Sequence, residues 1–267
     1  MPLPSRAVES LLAFWAEAGV EACYADAPVD RTAEGTRLLR RHLAVPAPAA
    51  AAVAPRTDSQ TAGGIAEARR LAGEAHDLES LVRAIGAFDG CPLKFQGARQ
   101  AVFARGDPQA PVMIIGEGPG GDEDAQGAPF VGRAGKLLDR MIGAAGLEGR
   151  VFITNTVFWR PPGNRTPTHA EQAVCAPFLE RAIALVRPRF LLLTGAASAR
   201  ALLKQKEGIL SLRGRWFEWK SSDETLEIPA LPTIHPAFML RQPAAKKKAW
   251  EDLMMLSERL DRPDRPA

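Results

Sequence analysis

Short apolar runs that end in a polar side chain mark the places where this sequence could carry out chemistry. Glu117 comes just after one such run, Asn155 ends a second, and His235 follows a third. Runs of this kind are typical of buried parallel strands. Because ligands bind at the carboxyl ends of the strands in an open α/β sheet, we expect these three side chains to lie at one edge.

Phe130 adds an aromatic ring to this group, in the segment 128–132 that follows the acidic run 122–124. A phenyl face can stack on a flat base, and an asparagine offers both a donor and an acceptor. A histidine can donate to a carbonyl that gains negative charge. With the carboxylate of Glu117, these groups predict a pocket for a flat, polar, uncharged ring such as a pyrimidine. Taken singly, the asparagine would also fit a loop cap, the histidine a turn, and the phenyl ring the core.

The glycine-rich turn after the first run matches a nucleotide-phosphate loop only in part. Gly116, Gly118 and Gly121 fit the pattern G-x-G-x-x-G, which is weak by itself. We expect no helix to begin at Gly121, and the acidic run 122–124 would repel a pyrophosphate. The sequence also lacks the G-K-[ST] of a P-loop, so we predict no nucleotide cofactor.

The composition excludes several classes of protein. Hydrophobic content of 46% and charged content of 24% over 267 residues are ordinary for a globular protein. No apolar run is as long as a membrane span, and the N-terminus lacks a signal-peptide pattern, so we expect a cytoplasmic protein without membrane contact. Three cysteines do not suggest a disulfide framework. Residues 160–267 contain 18 basic and 12 acidic residues, an excess that favours a polyanionic ligand.

Strand-like and helix-like segments alternate along the chain, which predicts a parallel sheet with helices on both faces. The domain that carries the motifs is expected to span residues 61–267, and residues 1–60 to form an N-terminal helical appendage with a Pro/Ala linker. A long amphipathic helix is predicted over residues 62–87, and Thr168 and Glu171 form a capping box. Strands are predicted at residues 101–104, 112–115, 151–154, 190–193, 216–220 and 231–234, and other helices at 5–19, 134–145, 168–188, 196–203 and 245–260.

Four motifs occur in order at the predicted strand ends. They are Gly116-Glu117-Gly118-Pro119-Gly120, Pro129-Phe130-Val131-Gly132, Asn155 with Arg160 to Arg165 downstream, and His235-Pro236-Ala237 with Leu240-Arg241. From about residue 88 to 260 the chain therefore resembles a family 4 uracil-DNA glycosylase. The resemblance implies the α/β class, with a three-layer α/β/α sandwich around a four-stranded parallel central sheet. It also implies a monofunctional DNA glycosylase that flips uracil out of DNA and hydrolyses its N-glycosidic bond, which starts base-excision repair.

The resemblance assigns catalysis to Glu117 and His235, and uracil binding to five residues. These are Gly118, Glu123, Phe130, Asn155 and His235. Phe130 would stack on uracil, Asn155 would read its polar edge, and His235 would stabilise the uracil anion as it leaves. Glu117 would position or activate water against the sugar cation. In a related family of the superfamily an aspartate follows the residue that matches Glu117, whereas this chain has Gly118.

The resemblance also implies DNA contacts in three segments. The residues expected to touch DNA are Arg160, Pro162, Asn164, Arg165, Met239, Leu240, Arg241, Lys246 and Lys247. Met239 or Leu240 is expected to fill the hole left by the flipped base, with Arg241 on a phosphate. The cations at residues 246–248 oppose the macrodipole of the helix that starts there, which favours phosphate binding. A solvated charge run would also fit them.

Members of the family that the chain resembles typically hold a [4Fe–4S] cluster on four cysteines. This chain keeps Cys91 and Cys175 at two of those positions, whereas Phe88 and Trp159 occupy the other two. Because such a cluster needs four thiolates, we predict no metal site and no cofactor, with both rings packed in the space. Cys23, in the appendage, is a poor substitute.

The leading prediction is an enzyme that acts as a monomer on uracil-containing DNA, in the cytoplasm at the nucleoid. The alternative is a non-catalytic or covalent member of the superfamily that binds uracil or abasic DNA. One covalent branch carries its reactive histidine on an arginine-rich insert, and residues 155–165 contain no such insert. The missing cysteines and Gly118 leave room for the alternative. The presence of Glu117, Asn155 and His235 together favours the enzyme.

Overall fold

The computed structural model describes residues 58–262, so the expected appendage and linker lie almost entirely outside the described residues. The helices are α1 Asp58–Glu74, α2 Leu78–Ala87, α3 Gly121–Gln126, α4 Arg133–Ala144, α5 His169–Val186, α6 Ala196–Leu203, α7 Ile209–Leu212, α8 Pro236–Arg241 and α9 Ala245–Asp261. The strands are β1 Ala104–Gly106, β2 Val112–Gly116, β3 Val151–Asn155, β4 Phe190–Thr194, β5 Phe217–Lys220 and β6 Glu227–Thr233. No helix in this range is long and apolar enough to cross a membrane.

The strands form one six-stranded sheet in the order β1-β3-β2-β4-β6-β5. The four middle strands run parallel, as predicted, and the antiparallel strands β1 and β5 add an edge on each side. The chain passes from β2 to β3 on one side and from β4 to β6 on the other. The carboxyl ends of β2 and β4 therefore flank a topological switch point, where ligands bind in open α/β sheets.

Helices cover both faces of the sheet, because successive side chains of a strand point to opposite faces. In β2, Met113 and Ile115 face one side, where they join buried side chains of α1, α2 and α5. Val112 and Ile114 face the other side, where they join those of α4 and α9. The predicted three-layer α/β/α sandwich is therefore confirmed.

The single long helix predicted over residues 62–87 is wrong, because two helices occupy this stretch. Asp77 caps α2: its carboxylate accepts from the Ser80 N–H at 2.7 Å, and the Ser80 hydroxyl accepts from the Asp77 N–H at 3.1 Å. This capping box starts a new helix. The apolar periodicity continues across the break, which is why the pattern alone suggests one helix.

Two further expectations need correction. The first strand lies at Ala104–Gly106, where it pairs with β3, and not at residues 101–104. A short helix, α3, does begin at Gly121, where no helix was expected. It forms because the Glu123 carboxylate accepts from the Gly120 N–H at 3.1 Å and so caps the helix start.

Candidate active site

A cleft of about 750 Å³ opens at the carboxyl edge of the sheet, between the loops that follow β2, β3, β4 and β6. Register explains why these loops meet: Gly116 at the end of β2 lies opposite Asn155 at the end of β3, and Thr194 lies opposite Thr233. All the residues expected to bind uracil or act on it line this one cleft. They are Glu117, Gly118, Glu123, Phe130, Asn155 and His235.

Asn155 provides a hydrogen-bonding group that lacks a partner in the cleft wall. The residue is 1% exposed, and its Oδ1 has no hydrogen-bond partner within the described part of the chain. A buried acceptor left unpaired costs about 1–3 kcal/mol. An N–H group of a bound ligand would satisfy it.

Gly116 allows Asn155 and Phe130 to approach the same point. A Cβ at Gly116 would come within 2.4 Å of Asn155 Oδ1 and 2.6 Å of the Phe130 ring. Only glycine therefore fits beneath the pocket at this position without displacing the amide or the ring.

Phe130 is held in a left-handed backbone conformation with φ of 55°, which is uncommon for a residue with a side chain. Arg105 stabilises it by donating to the Pro129 carbonyl at 2.8 Å and to the Phe130 carbonyl at 3.2 Å. Gly135, in α4, makes room, since a Cβ there would lie 1.6 Å from the Phe130 carbonyl oxygen. The ring position is thus set by the backbone around it.

Glu123 lines the cleft, but its carboxylate already has three backbone donors. Oε1 accepts from Val131 at 3.0 Å and Gly132 at 2.9 Å, and Oε2 accepts from Gly120. Gly132 is the N-cap of α4, where a negative charge is favourable. The carboxylate therefore joins the turn after β2 to the loop that carries Phe130.

His235 lies at the N-cap of α8, and its Nδ1 accepts from the Ala237 N–H at 3.1 Å. A neutral imidazole that accepts at Nδ1 carries its proton on Nε2, which can then donate. Burial lowers the pKa of His235 to about 4, and the positive charge of Arg241 adds to this effect. The imidazole is therefore neutral at pH 7.

Glu117 lies at the cleft, where its carboxylate makes no hydrogen bond or ion pair within residues 58–262. Its backbone is fixed, because the Thr156 hydroxyl donates to the Glu117 carbonyl at 2.6 Å. At Gly118 a Cβ would come within 2.8 Å of Val157 Cγ2. A side chain at position 118 would therefore require Val157 to shift.

The loop after β3 has two of its four expected DNA contacts at the cleft. Asn164 and Arg165 line the cleft, whereas Arg160 and the exposed Pro162 lie outside its lining. Arg160 Nε donates to Asn164 Oδ1 at 2.7 Å, which orders the loop.

Arg165 is oriented by an ion pair with Glu171, through hydrogen bonds of 2.8 and 2.7 Å. The Arg165 side chain is 40% exposed and that of Glu171 5%. Burial would raise the pKa of Glu171, but the hydrogen bonds from Arg165 and Thr168 outweigh it and lower that pKa. The predicted capping box is confirmed by the bond from the Glu171 N–H to the Thr168 hydroxyl.

Of the two residues expected to fill the hole left by the flipped base, Met239 is buried in this structure. Met239 is 1% exposed and packs in a small apolar cluster with Leu137, Ile234 and Ala249. Leu240, the next residue of α8, is 37% exposed. A short helix that packs against α4 and α9 buries one of these two neighbouring side chains and exposes the other.

The remaining cationic residues take different positions. Arg241 lines the cleft beside His235. Lys246 and Lys247 are exposed in the first turn of α9 and lie outside the cleft lining.

The sequence interpretation missed the contribution of β4 to the cleft. Gly195, Arg200 and Ile209 line it from the loop after β4, from α6 and from α7. Gly195 has φ of 95°, and a Cβ there would lie 3.0 Å from the Cβ of His235. A glycine directly after the apolar run of β4 was the one available signal.

The sequence model of the Uracil DNA glycosylase superfamily matches residues 103–254, more than half of the chain. The fold and the cleft are thus those of a member of this superfamily. The type-4 uracil-DNA glycosylase of Pyrobaculum aerophilum is 38% identical over 185 residues, which cover 67% of this chain and 92% of the relative. That of Sulfurisphaera tokodaii is 38% identical over 187 residues, covering 68% and 84%. This chain belongs to the type-4 uracil-DNA glycosylases.

The side chains at the positions of the family's iron–sulfur ligands do not fit a four-thiolate cluster. Cys91 and Cys175 are fully buried, with their sulfur atoms 3.8 Å apart. Burial, and then the contact with Cys91, raises the pKa of the Cys175 thiol well above its ordinary value. The other two positions hold Phe88 and Trp159, whose ring centroids are 6.4 Å apart. No group of three or more metal-ligating side chains lies within the described ranges.

Proposed function

We propose that this protein hydrolyses the N-glycosidic bond of uracil in DNA and thereby starts base-excision repair. The relatives are named uracil-DNA glycosylases, and the chain covers most of their length. The single observation that carries the proposal is the buried, unpartnered Oδ1 of Asn155 in the cleft wall. Uracil has an N3–H flanked by two carbonyl groups, so it can donate to this oxygen.

The Asn155 Oδ1 acceptor also explains discrimination against cytosine. Cytosine has an acceptor at N3, which would face the acceptor Oδ1. A site built around one hydrogen bond rejects a ligand that leaves that bond unmade. Phe130 supplies the face on which the flat ring stacks. The target nucleotide is flipped out of the helix to reach this position.

In the chemical step the bond between C1′ of the sugar and N1 of uracil breaks, and its electron pair goes to the base. The negative charge is shared with the uracil carbonyl oxygens. His235 donates from Nε2 to one of them. Its low pKa keeps the imidazole neutral, and the Ala237 N–H that donates to Nδ1 keeps the proton on Nε2. A donor fixed before the reaction stabilises developing charge without reorganisation.

Glu117 serves the sugar half of the reaction. Its unpaired carboxylate stabilises the positive charge that develops at C1′ and accepts the proton of the water that adds there. The proton taken up by Glu117 then passes through solvent to the uracil anion, so the products are neutral uracil and an abasic site. Glu123 acts as a positioning residue, since both its oxygens are engaged by backbone N–H groups.

DNA is held by cations on both sides of the cleft. Arg165 and Arg241 contact phosphates at the cleft, with Arg160, Pro162 and Asn164 in the supporting loop. Lys246 and Lys247 extend this surface along α9. Leu240, the exposed side chain of α8, fills the space of the flipped base.

We further propose that the enzyme works as a monomer without an iron–sulfur cluster, in the cytoplasm at the nucleoid. The ring contacts of Phe88 and Trp159 support apolar packing at two of the former ligand positions. The glycosylase domain is assigned to residues 61–267, and residues 1–60 to a separate appendage.

The test is release of uracil from a labelled oligonucleotide with one U·G pair, under single-turnover conditions. Asn155→Ala and His235→Ala are each expected to lower the rate about 100- to 1,000-fold, the effect of removing one preorganised donor or acceptor. His76→Ala, at an exposed histidine of the turn before α2, is the matched control and should leave the rate unchanged.

The alternative is a protein that binds uracil or abasic DNA without cleaving it, or that becomes covalently linked to it. It rests on Gly118, which stands where a related family has an acid. Tight retention of the uracil strand without release of the base would favour this alternative. A denaturant-resistant complex would identify its covalent form.

A further inference from the structure

A second groove runs down the side of the molecule between α5, α6 and β5, with a volume of about 680 Å³. It begins next to the active-site cleft, since Arg200 of α6 lines both. Thr156, whose hydroxyl donates to the Glu117 carbonyl, also lines the groove. A strand that leaves the cleft past Arg200 would therefore enter the groove directly.

The charge of the groove favours an anion. Among its described lining residues four are basic and one, Glu180, is acidic. Glu180 is already engaged, because it accepts from the Ser222 hydroxyl at 2.6 Å. Arg200, Lys204 and Lys206 have no side-chain hydrogen bond or ion pair within residues 58–262. Three unneutralised cations at one rim would attract the phosphates of a nucleic acid strand.

The rim of the groove is charged, whereas its wall is apolar. Leu179 and Ile183 of α5 lie on one side, and Leu202 and Trp219 on the other. Trp219 is 4% exposed and offers little ring surface for stacking, so a nucleic acid strand would be held by the positively charged rim, which can follow its backbone.

We propose that this groove binds a single-stranded stretch of the substrate DNA beyond the flipped nucleotide, with Lys204 and Lys206 on its phosphates. The proposal depends on the proposed glycosylase function, since it concerns the path of that substrate. It predicts that the enzyme gains affinity from a single-stranded flank on one side of the uracil and not on the other.

The test uses single-stranded oligonucleotides with one uracil and a flank lengthened on either the 5′ or the 3′ side. Half-saturating enzyme concentration is read from single-turnover uracil release. For the wild type, lengthening one flank is expected to lower this concentration about tenfold. In Lys204→Gln/Lys206→Gln most of that gain should be lost. The salt dependence of log K should become shallower by about 1.4, the value for two contacts with a single strand.

The matched control is Arg69→Gln/Arg140→Gln, which also removes two exposed and unpaired charges, neither of which lines the groove. It should retain the full gain from the flank. A double lysine variant that keeps the gain would overturn the proposal. A second result would also overturn it: the wild type binds polyglutamate and the double lysine variant does not, while the variant keeps the gain from the flank. The groove would then be a surface that docks an acidic protein. Release from the shortest oligonucleotide reports the glycosylase activity alone, so loss of the enzyme function and absence of the groove contact give different results.

Discussion

The ring of Phe130 lies 5.6 Å from the imidazole of His235, with the two planes inclined at 32°. Aromatic rings interact at this separation. The phenyl ring also takes the place of water next to the imidazole, and loss of water is the main reason for the low pKa of His235. The residue expected to stack on the base therefore also contributes to the burial that lowers the pKa of His235.

This relationship predicts that the pKa of His235 depends on Phe130. In the free wild-type protein the imidazole should titrate at about 4, and in Phe130→Ala the pKa should move up towards the ordinary value of 6.5. The titration is followed by NMR of histidine-labelled protein, with the His235 signal assigned through His235→Gln. Phe95→Ala removes a ring that is 60% exposed, and it should leave the titration unchanged. A wild-type midpoint near 6.5 would contradict the prediction.

The same shift sets the direction of one pH effect on stability. The folded pKa of about 4 lies below the value of 6.5 for an unperturbed histidine, so the unfolded chain binds more protons between these two pH values. The free energy of unfolding should therefore fall as the pH drops from 6.5 to 4. Urea denaturation of the wild type and His235→Gln over this range measures the effect. The His235 contribution is absent if both curves fall in parallel.

The Glu123 carboxylate holds the loop that carries Phe130. Its replacement should therefore lower activity by displacing Phe130 and not by removing a catalytic group. In Glu123→Gln a neutral amide oxygen replaces one carboxylate oxygen, and its NH₂ group would face a backbone N–H. We expect the uracil-release rate to fall about 10- to 100-fold, because Phe130 is no longer fixed. The pH dependence of the rate should keep its shape, since no titrating catalytic group is removed. Asp122→Asn, at an exposed neighbour, should have little effect on either quantity.

Much of this site is predictable because each catalytic side chain is local to its strand. The apolar runs of β2 and β3 are short and continuous, so the positions of Glu117 and Asn155 follow from parallel-sheet geometry. β6 is harder to predict, because Pro229 interrupts its pattern although the residue pairs with Glu218 of the edge strand β5. The strand consequently begins at Glu227, four residues before the predicted start.

Contacts between residues far apart in the chain account for what the sequence did not predict. The bonds from Val131 and Gly132 to Glu123 span eight and nine residues, so their role is not visible in any local pattern. The choice between Met239 and Leu240 depends on how a six-residue helix packs against its neighbours. No periodicity can be read from a helix this short.

Asn155 should be important for activity and neutral for stability. Asn155→Ala removes a buried acceptor that is unpaired in the free protein. Removal of this unpaired group should raise the free energy of unfolding by about 1–3 kcal/mol. The small cavity that remains costs a comparable amount, so the melting temperature should stay within about 3 °C of the wild type. Differential scanning calorimetry checks this in the absence of DNA. A fall of about 10 °C would mean that the Asn155 side chain stabilises the fold.

The aromatic cluster at the former ligand positions predicts that stability depends on rings and not on iron. Trp159 is 2% exposed and lies 6.3 Å from Phe158 and 6.4 Å from Phe88 between ring centroids. Trp159→Ala should cost about 3–5 kcal/mol, a fall in melting temperature of roughly 10 °C. Trp250→Ala, at a ring that is 37% exposed, should cost much less.

The iron content of the protein distinguishes an apolar, cluster-free region around Phe88 and Trp159 from one that still binds a metal. Protein purified without oxygen should contain far less than stoichiometric iron and lack the visible absorption of a cluster, because two thiolates cannot replace four. Cys91→Ala/Cys175→Ala should keep its uracil-release activity, since both thiols are buried away from the cleft. Stoichiometric iron in the wild type, lost in this double variant together with the fold, would show that the two thiols and a further ligand still hold metal. In that case Phe88 and Trp159 would have to move apart.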